Sequence, residues 1–394
     1  MKTSTSKRLR WNVAIWLAAG LFMAGTAGMA SGPIMPDPKA EARHQPQVEE
    51  TANGIPLVNI TAPSSGGVSR NEYETFNVPD KGAILNNSYT LSKTELAGYV
   101  QGNNNMAERP AKIIVNEVTG AGSTSMDGFL EVAGNRADVV IANPNGITVN
   151  GGGFINTGKA FLTTGKPVYD GEDHLQRFDI TGGDILIEGK GLGGKETGSL
   201  AILSRAVKIN AGIWAKDLHI TTGANTVDAK TLEASAIEGK GGHPAFALDT
   251  AAIGGMYAGR ITLVGTEKGL GVNNSGTWSA EDNLTLDWNG DLKNSGTIYS
   301  KGNTDLRASH LENDKTIAAG KDITISADGH VTNTGTVGAG INEAGGLTET
   351  GTLEIQSGRV DNRQGTIWVF LPAAFPMKKD RFPDMELFMH QQRK

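Results

Sequence analysis

Short apolar residues in alternation recur along most of this chain. Ile185-Leu186-Ile187, Ile261-Thr262-Leu263, Leu284-Thr285-Leu286, Ile323-Thr324-Ile325 and Leu353-Glu354-Ile355 are examples. A period of two sends one set of side chains inward and the other outward, which predicts half-buried strands. The pattern begins near Asn53 and is punctuated by Gly, Asn and Ser. No long stripe of helical period interrupts it.

The last third carries a repeat. Asn274-Ser275-Gly276-Thr277, Asn294-Ser295-Gly296-Thr297, Asn313-Asp314-Lys315-Thr316 and Asn333-Thr334-Gly335-Thr336 start at intervals of 20, 19 and 20 residues. A looser copy, Asn362 to Thr366, follows an insertion. Each copy reads as a turn, a short strand (at Trp278, Ile298, Ile317 and Val337), a turn and a second strand. A period near 20 without a helix predicts a solenoid: one rung cannot bury its own apolar face, so rungs must stack. Ile, Leu and Val then pile on their equivalents, and Asn at one turn position forms an amide ladder, because its side chain both donates and accepts. At about 20 residues per rung the chain from residue 53 to 370 would make roughly 16 rungs, on the order of 75 Å.

Composition adjusts this picture. Of 394 residues, 53 are Gly and 6% are aromatic, as expected for many strands and turns, so one elongated unit is favoured over several compact domains. Lys2, Lys7, Arg8 and Arg10 precede an apolar run from Val13 to Met23 and a small-residue site at Gly28-Met29-Ala30. These features read as a secretory signal peptide over residues 1–30, the apolar run being shorter than the roughly 20 residues that span a bilayer. The mature chain is expected to be soluble. Pro33, Pro36, Pro38 and Pro46 mark residues 31–52 as a flexible leader. With no Cys, stability must come from burial and backbone hydrogen bonds. A net charge of −6 without a basic patch argues against nucleic acid as a partner.

Enzymatic readings find little support. A β-helical polysaccharide lyase or hydrolase needs converging carboxylates, whereas Asp179, Asp184, Glu188, Asp282, Asp287 and Asp291 scatter over turns. His44, His174, His219, His243, His310, His330 and His390 are too far apart in sequence for metal-ligand spacing. Gly151-Gly152-Gly153 lacks the Lys and Ser/Thr of a phosphate loop and reads as a tight corner. No catalytic residue, metal or cofactor is assigned. An adhesin reading has more substance: a rod carrying Asn, Thr and Trp278, Trp288 and Tyr299 could hold a glycan or a host surface.

The sharpest motif is Ala142-Asn143-Pro144-Asn145-Gly146-Ile147, after the apolar strand Val139-Val140-Ile141. Asn143 can cap a type I turn, Pro144 presets its φ, and Asn145 and Gly146 complete it. The segment from Ala137 to Asn156 closely resembles the secretion domain of two-partner secretion exoproteins, the family of filamentous haemagglutinins, large haemolysins and contact-dependent inhibition proteins. Further family signatures appear in order: Ile113 to Val118, with Asn116, Glu117 and Val118; Asn210 to Ala215; Ala252 to Ile261; and Leu263 to Glu267. The family's second asparagine turn, usually Asn-Pro-Asn-Leu, corresponds to Asn103-Asn104-Asn105-Met106. Asn104 replaces the Pro, and Met106 keeps an apolar plug.

The resemblance implies a right-handed parallel β-helix with an N-terminal cap and extra-helical hairpins. It implies a protein of a Gram-negative bacterium, secreted or held at the cell surface, taken to the periplasm by the general secretory machinery. There the POTRA modules of a cognate outer-membrane β-barrel transporter would recognise it, with Asn143 to Ile147 as the secretion motif and Asn103 to Met106 as a degenerate second one. The two-partner secretion domain is expected over residues 53–270 and the start of the repeats over 271–370. Residues 371–394, with Pro372, Pro376 and Pro383, read as a non-repeat tail, favouring truncation of a longer exoprotein over a short natural one. The exported passenger is expected to act as an adhesin or haemagglutinin.

Overall fold

The computed structural model describes residues 32–369 except Glu108, Ala344 and Glu349, together with the backbone of Leu387 and Phe388. The expected signal peptide, residues 1–30, and almost all of the expected tail lie outside the described residues. The described strands all belong to the unit that begins at Pro33.

The chain winds through three parallel sheets in constant order, and connections between parallel strands of one sheet take the right-handed sense. This is a right-handed parallel β-helix. The first sheet runs from Pro56–Asn59 through Ala83–Asn87, Phe129–Gly134 and Gly152–Ile155 to Thr366–Val369. The second runs from Val68–Phe76 through Ile113–Val118, Ala137–Ala142 and Thr157–Thr163 to Leu353–Asp361. The third begins at Thr124–Met126, continues through Ile147–Val149 and Asp184–Ile187, and reaches the end of Ile323–Asn333. The alternating triads supply the core as expected: Ile185 and Ile187, Leu284 and Leu286, and Ile323 and Ile325 all point inward and are buried. Each such Ile or Leu contributes about 1.5–3 kcal/mol by leaving water. The only helical turns among the described residues are the three-residue Ala42–His44 and Asn104–Met106. No described helix is long and apolar enough to cross a membrane.

The rung count differs from the expectation. The first sheet holds twelve strands up to Thr366–Val369, not about sixteen. Chain is spent on excursions that add no rung. One is the hairpin Ser92–Thr94 and Gly98–Val100. Two others leave the same corner in different rungs, as Lys166–Tyr169 with Leu175–Ile180 and Asn225–Asp228 with Ala234–Ala236, and pair into a separate antiparallel sheet. That sheet lays Phe178, Ile180 and Val227 over Val115, Val140 and Phe161 on the outer face of the second sheet. Outward positions there are apolar because the excursions cover them.

The expected flexible leader is instead a cap. Ile34–Pro36 runs antiparallel to Val68–Phe76, and Gln47–Glu50 antiparallel to Pro56–Asn59. A stack of rungs must end on an unpaired edge, and these strands satisfy it. The prolines that suggested a break fit because they avoid ladder donors: Pro36 sits where the register slips. The tail also departs from its reading, since Leu387 and Phe388 pair in parallel with Ile367 and Trp368.

The asparagine ladder forms as the repeat predicts. The Nδ2 of Asn274 donates to the Oδ1 of Asn294 at 2.8 Å, Asn294 to Asn313 at 2.7 Å, and Asn313 to Asn333 at 2.7 Å. Asn333 continues to Asn362 at 2.5 Å. Each of the first four also donates to the carbonyl of the Thr that opens the first-sheet strand of the next rung: Thr297, Thr316, Thr336 and Thr366. All five amides are buried, and Asn294, Asn313 and Asn333 have partners on both sides along the ladder. The aromatics proposed for a glycan lie elsewhere than expected. Trp278 and Trp288 are core residues whose indoles donate to Thr250 Oγ1 and the Leu270 carbonyl, and Tyr299 is buried against Ala318 and Ile341. The inward stripe of the repeat accommodates rings of any size that can hide their polar atom.

Asn313→Ala should lower unfolding free energy by about 2–4 kcal/mol, because it orphans a buried donor above and a buried acceptor below. Asn362→Ala, at the end of the ladder, should cost about half as much; equal losses in chemical denaturation would contradict a ladder role. His219 is pushed down to about 4 by burial. Its unfolded form binds a proton that the folded form refuses, so stability should fall as pH drops from about 6.5 towards 4, by at most about 3 kcal/mol. His219→Gln should flatten that part of the melting-temperature profile.

Candidate functional site

Asn143 ends the second-sheet strand Ala137–Ala142, and Ile147 opens the third-sheet strand Ile147–Val149. The motif is therefore a corner of the helix. The Gly146 amide donates to the Asn143 carbonyl at 3.1 Å, closing a β-turn. The Asn145 amide donates to Asn143 Oδ1 at 2.9 Å, the side-chain cap that the sequence called for. Gly146 has φ +108°, a backbone that a side chain would strain. Pro144 and Asn145 are exposed, whereas Asn143, Gly146 and Ile147 are buried.

The side chains do more than close the turn. Asn143 Nδ2 donates to the Gly122 carbonyl at 2.9 Å and to Thr124 Oγ1 at 3.0 Å. Asn145 Nδ2 reaches the Gly120 carbonyl at 2.8 Å, Asn143 Oδ1 at 3.1 Å and, more loosely, the Gly122 carbonyl at 3.5 Å. Both amides thus clamp the corner to the loop of the preceding rung.

The degenerate turn repeats this plan. Asn103 Oδ1 accepts from the Asn105 amide at 2.9 Å, and the Met106 amide donates to the Asn103 carbonyl at 3.2 Å. Asn103 and Asn105 both donate to the Ile60 carbonyl, at 2.8 and 3.1 Å. Met106 fills the core with 1% of its surface exposed. Asn104 is exposed, and the clamp is made by Asn103 and Asn105. The two turns differ in the residue that plugs the core, the fourth in one and the fifth in the other.

Asn116, Glu117 and Val118 lie in the second sheet beside the first rung. Asn116 Oδ1 accepts from the Tyr73 hydroxyl at 3.0 Å, and its Nδ2 donates to the Val140 carbonyl at 3.1 Å. Glu117 points outward under the extra-helical sheet, into a buried charged cluster. Arg70 Nη2 lies 2.9 Å from Glu72 and 3.4 Å from Glu117, His44 Nδ1 is 3.0 Å from Glu72, and the Arg70 guanidinium sits 4.5 Å from the centre of the Tyr169 ring. Burial raises the Glu117 pKa, and the positive charge of Arg70 only partly opposes it. Burial lowers that of His44, with Arg70 acting in the same direction. The cluster joins the cap, the second sheet and the extra-helical sheet. Sequence reading missed His44, Arg70, Glu72 and Tyr169, which are spread over residues 44–169 with no shared spacing.

The acids weighed for catalysis stay apart. Asp179 lies in the extra-helical sheet and pairs with Arg177; Asp184 and Glu188 flank a third-sheet strand; Asp287 faces outward on the second sheet; Asp291 pairs with His310. Among the described residues no three His, Asp or Glu side chains could hold a metal ion.

A capped parallel β-helix whose corners are clamped by asparagine side chains defines the class of domain to which the site belongs. The chain belongs to the two-partner secretion exoprotein family: residues 33–298 match the TPS secretion domain, and residues 336–367 match a haemagglutinin repeat. It is similar to the "Toxin CdiA" of Yersinia pestis, 41% identical over 70% of this chain and 9% of that protein. It is similar to the "tRNA nuclease CdiA" of Yersinia mollaretii, 38% identical over 86% of this chain and 12% of that one. The crystal structure of a filamentous hemagglutinin secretion domain superposes with a TM-score of 0.60 and 28% identity, over 86% of this chain and 99% of that one. The chain thus spans about a tenth of the length of the curated relatives it matches. It is a secreted or cell-surface protein of a Gram-negative bacterium, exported with a cognate outer-membrane transporter. The TPS secretion domain is a transport domain; the nuclease names belong to the relatives as whole proteins.

Proposed function

We propose that the asparagine turns are read by the POTRA modules of the transporter while the chain is still extended, and that closing them commits the domain to its fold. The observation that carries this is the burial of Asn143, whose carboxamide is spent on Gly122, Thr124 and Asn145 once the corner has formed. A receptor that reads Asn143 must do so before folding, when segments such as Val139 to Ile141 still offer free edges for strand addition. Glu117 and Asn116 act in the same scheme as folding residues, fixing the cap and the first rungs.

The relatives' names favour delivery of a toxic region over the adhesin or haemagglutinin role expected from the sequence. We infer that this chain corresponds to the export-addressing part of such a delivery protein. A second reading keeps a glycan contact, but on different residues. Trp214 and Tyr257 face outward on adjacent first-sheet strands, their rings 6.1 Å apart and 16° from parallel. Such a pair offers the flat apolar face on which a sugar ring can stack.

Asn143→Ala with Asn145→Ala should reduce export through the cognate barrel by about tenfold or more, while costing the purified domain only about 2–4 kcal/mol. Undiminished export, measured as extracellular protein by immunoblot, would reduce the motif to a turn. For the second reading, Trp214→Ala should abolish retention of the purified mature chain on a glycan array; an array with no retention even by the unaltered chain removes that reading.

A further inference from the structure

The chemistry of the secretion turn carries a consequence for chains that do not fold. Asn145 is followed by Gly146, and no side chain on Gly146 hinders its backbone nitrogen from approaching the Asn145 carboxamide. Asn143, two residues earlier, is followed by Pro144, whose nitrogen has no hydrogen to lose. Two asparagines of one motif therefore stand at opposite ends of susceptibility to deamidation.

We propose that Asn145 is a deamidation site gated by folding. In the extended chain the Gly146 nitrogen, giving up its proton, attacks Cγ of Asn145. A carbon–nitrogen bond forms, Nδ2 departs as ammonia, and a five-membered imide results. Water then opens the imide at either carbonyl, giving aspartate, or isoaspartate in which the main chain runs through the former side chain.

The folded corner opposes each part of this step. The Gly146 N–H is engaged by the Asn143 carbonyl at 3.1 Å. The departing nitrogen is held by the Gly120 carbonyl at 2.8 Å and by Asn143 Oδ1 at 3.1 Å, which turns the carboxamide towards the preceding rung. Beyond Gly146, Ile147 is fixed between Thr124 and Ile185. Gly146 is buried although Asn145 is exposed, so contact with solvent alone does not set the rate. Either product destroys the clamp. An aspartate presents oxygen where Nδ2 donated, facing the carbonyls of Gly120 and Gly122 and the Oδ1 of Asn143. Isoaspartate lengthens the main chain and shifts the register that places Ile147 inside.

This inference rests on the proposed role of the turn only for its consequence in export, that a chain delayed in the extended state becomes unable to close the corner. The mature chain would be incubated in mildly alkaline buffer with and without urea, and peptide mapping would follow aspartate and isoaspartate at Asn145 and at the other Asn-Gly pairs, Asn53, Asn150 and Asn289. Conversion at Asn145 should be about tenfold or more slower in the folded chain, with Asn143 intact in both conditions. Equal rates at Asn145 with and without urea overturn the gate, and no conversion in urea overturns the site. Asn145→Asp, which mimics one product, should lower export; unimpaired export by that variant, with gating observed, rejects the role of the turn and leaves the modification site standing.

Discussion

No rung of this molecule can satisfy its own backbone. Every strand depends on the strand one turn before and one turn after for its ladder of hydrogen bonds, and the apolar interior exists only once several turns are stacked. The rest of the structure answers that dependence. The stack needs a cover at its first edge, so residues that look like a loose leader become antiparallel strands. Identical positions recur one turn apart, so polar side chains in the core must be of a kind that can pair with themselves, and asparagine is such a residue. Corners must hold the chain at a fixed height, and at two of them near the start the clamp is made by side chains as well as by backbone.

The repeating part was the most legible in the sequence, because periodicity two and a spacing near 20 residues are direct images of strand and rung. Inward residues such as Ile185, Leu286 and Ile325 could be named from alternation alone. What alternation cannot reveal is whether an outward residue meets solvent. Val115, Val140 and Phe161 point away from the core yet are covered, because excursions far along the chain return over them. Trp278 and Trp288 were misplaced against the alternation itself: Trp288 continues the inward phase of Leu284 and Leu286, and Trp278 that of Ile298. Prolines misled for a related reason: they forbid a donor, not a strand, and a cap strand has positions where no donor is needed.

The motif was legible as a turn. The clamp was not, since its acceptors are main-chain carbonyls of Gly120, Gly122 and Ile60 that have no sequence of their own. The resemblance of the two turns is likewise a matter of geometry. In both, one asparagine oxygen receives the backbone amide two residues on, and both asparagine amides are spent on the rung before. That plan leaves the exposed Asn104 outside the clamp, which Asn103, Asn105 and the buried Met106 make. The cluster around Glu117 escaped detection because it assembles from three elements, none of which shows a charge pattern by itself.

The asparagine ladder has a polarity. From Asn274 to Asn362 each carboxamide gives its hydrogen forward, towards the later residue, and receives from the earlier one. The two ends of the ladder are therefore unlike: Asn274 Oδ1 receives only from the Gly276 amide of its own turn, and Asn362 Nδ2 turns to the Gly365 carbonyl of its own turn instead of to a further asparagine. A rung just laid down holds out an oriented N–H to the next asparagine to arrive, which needs only to supply oxygen. Growth in that direction resembles deposition on one face of a crystal, with each layer templating its successor. A chain that emerges from a pore with its N-terminal part first would meet a surface already set to receive it, and every layer added would make retreat through the pore more costly.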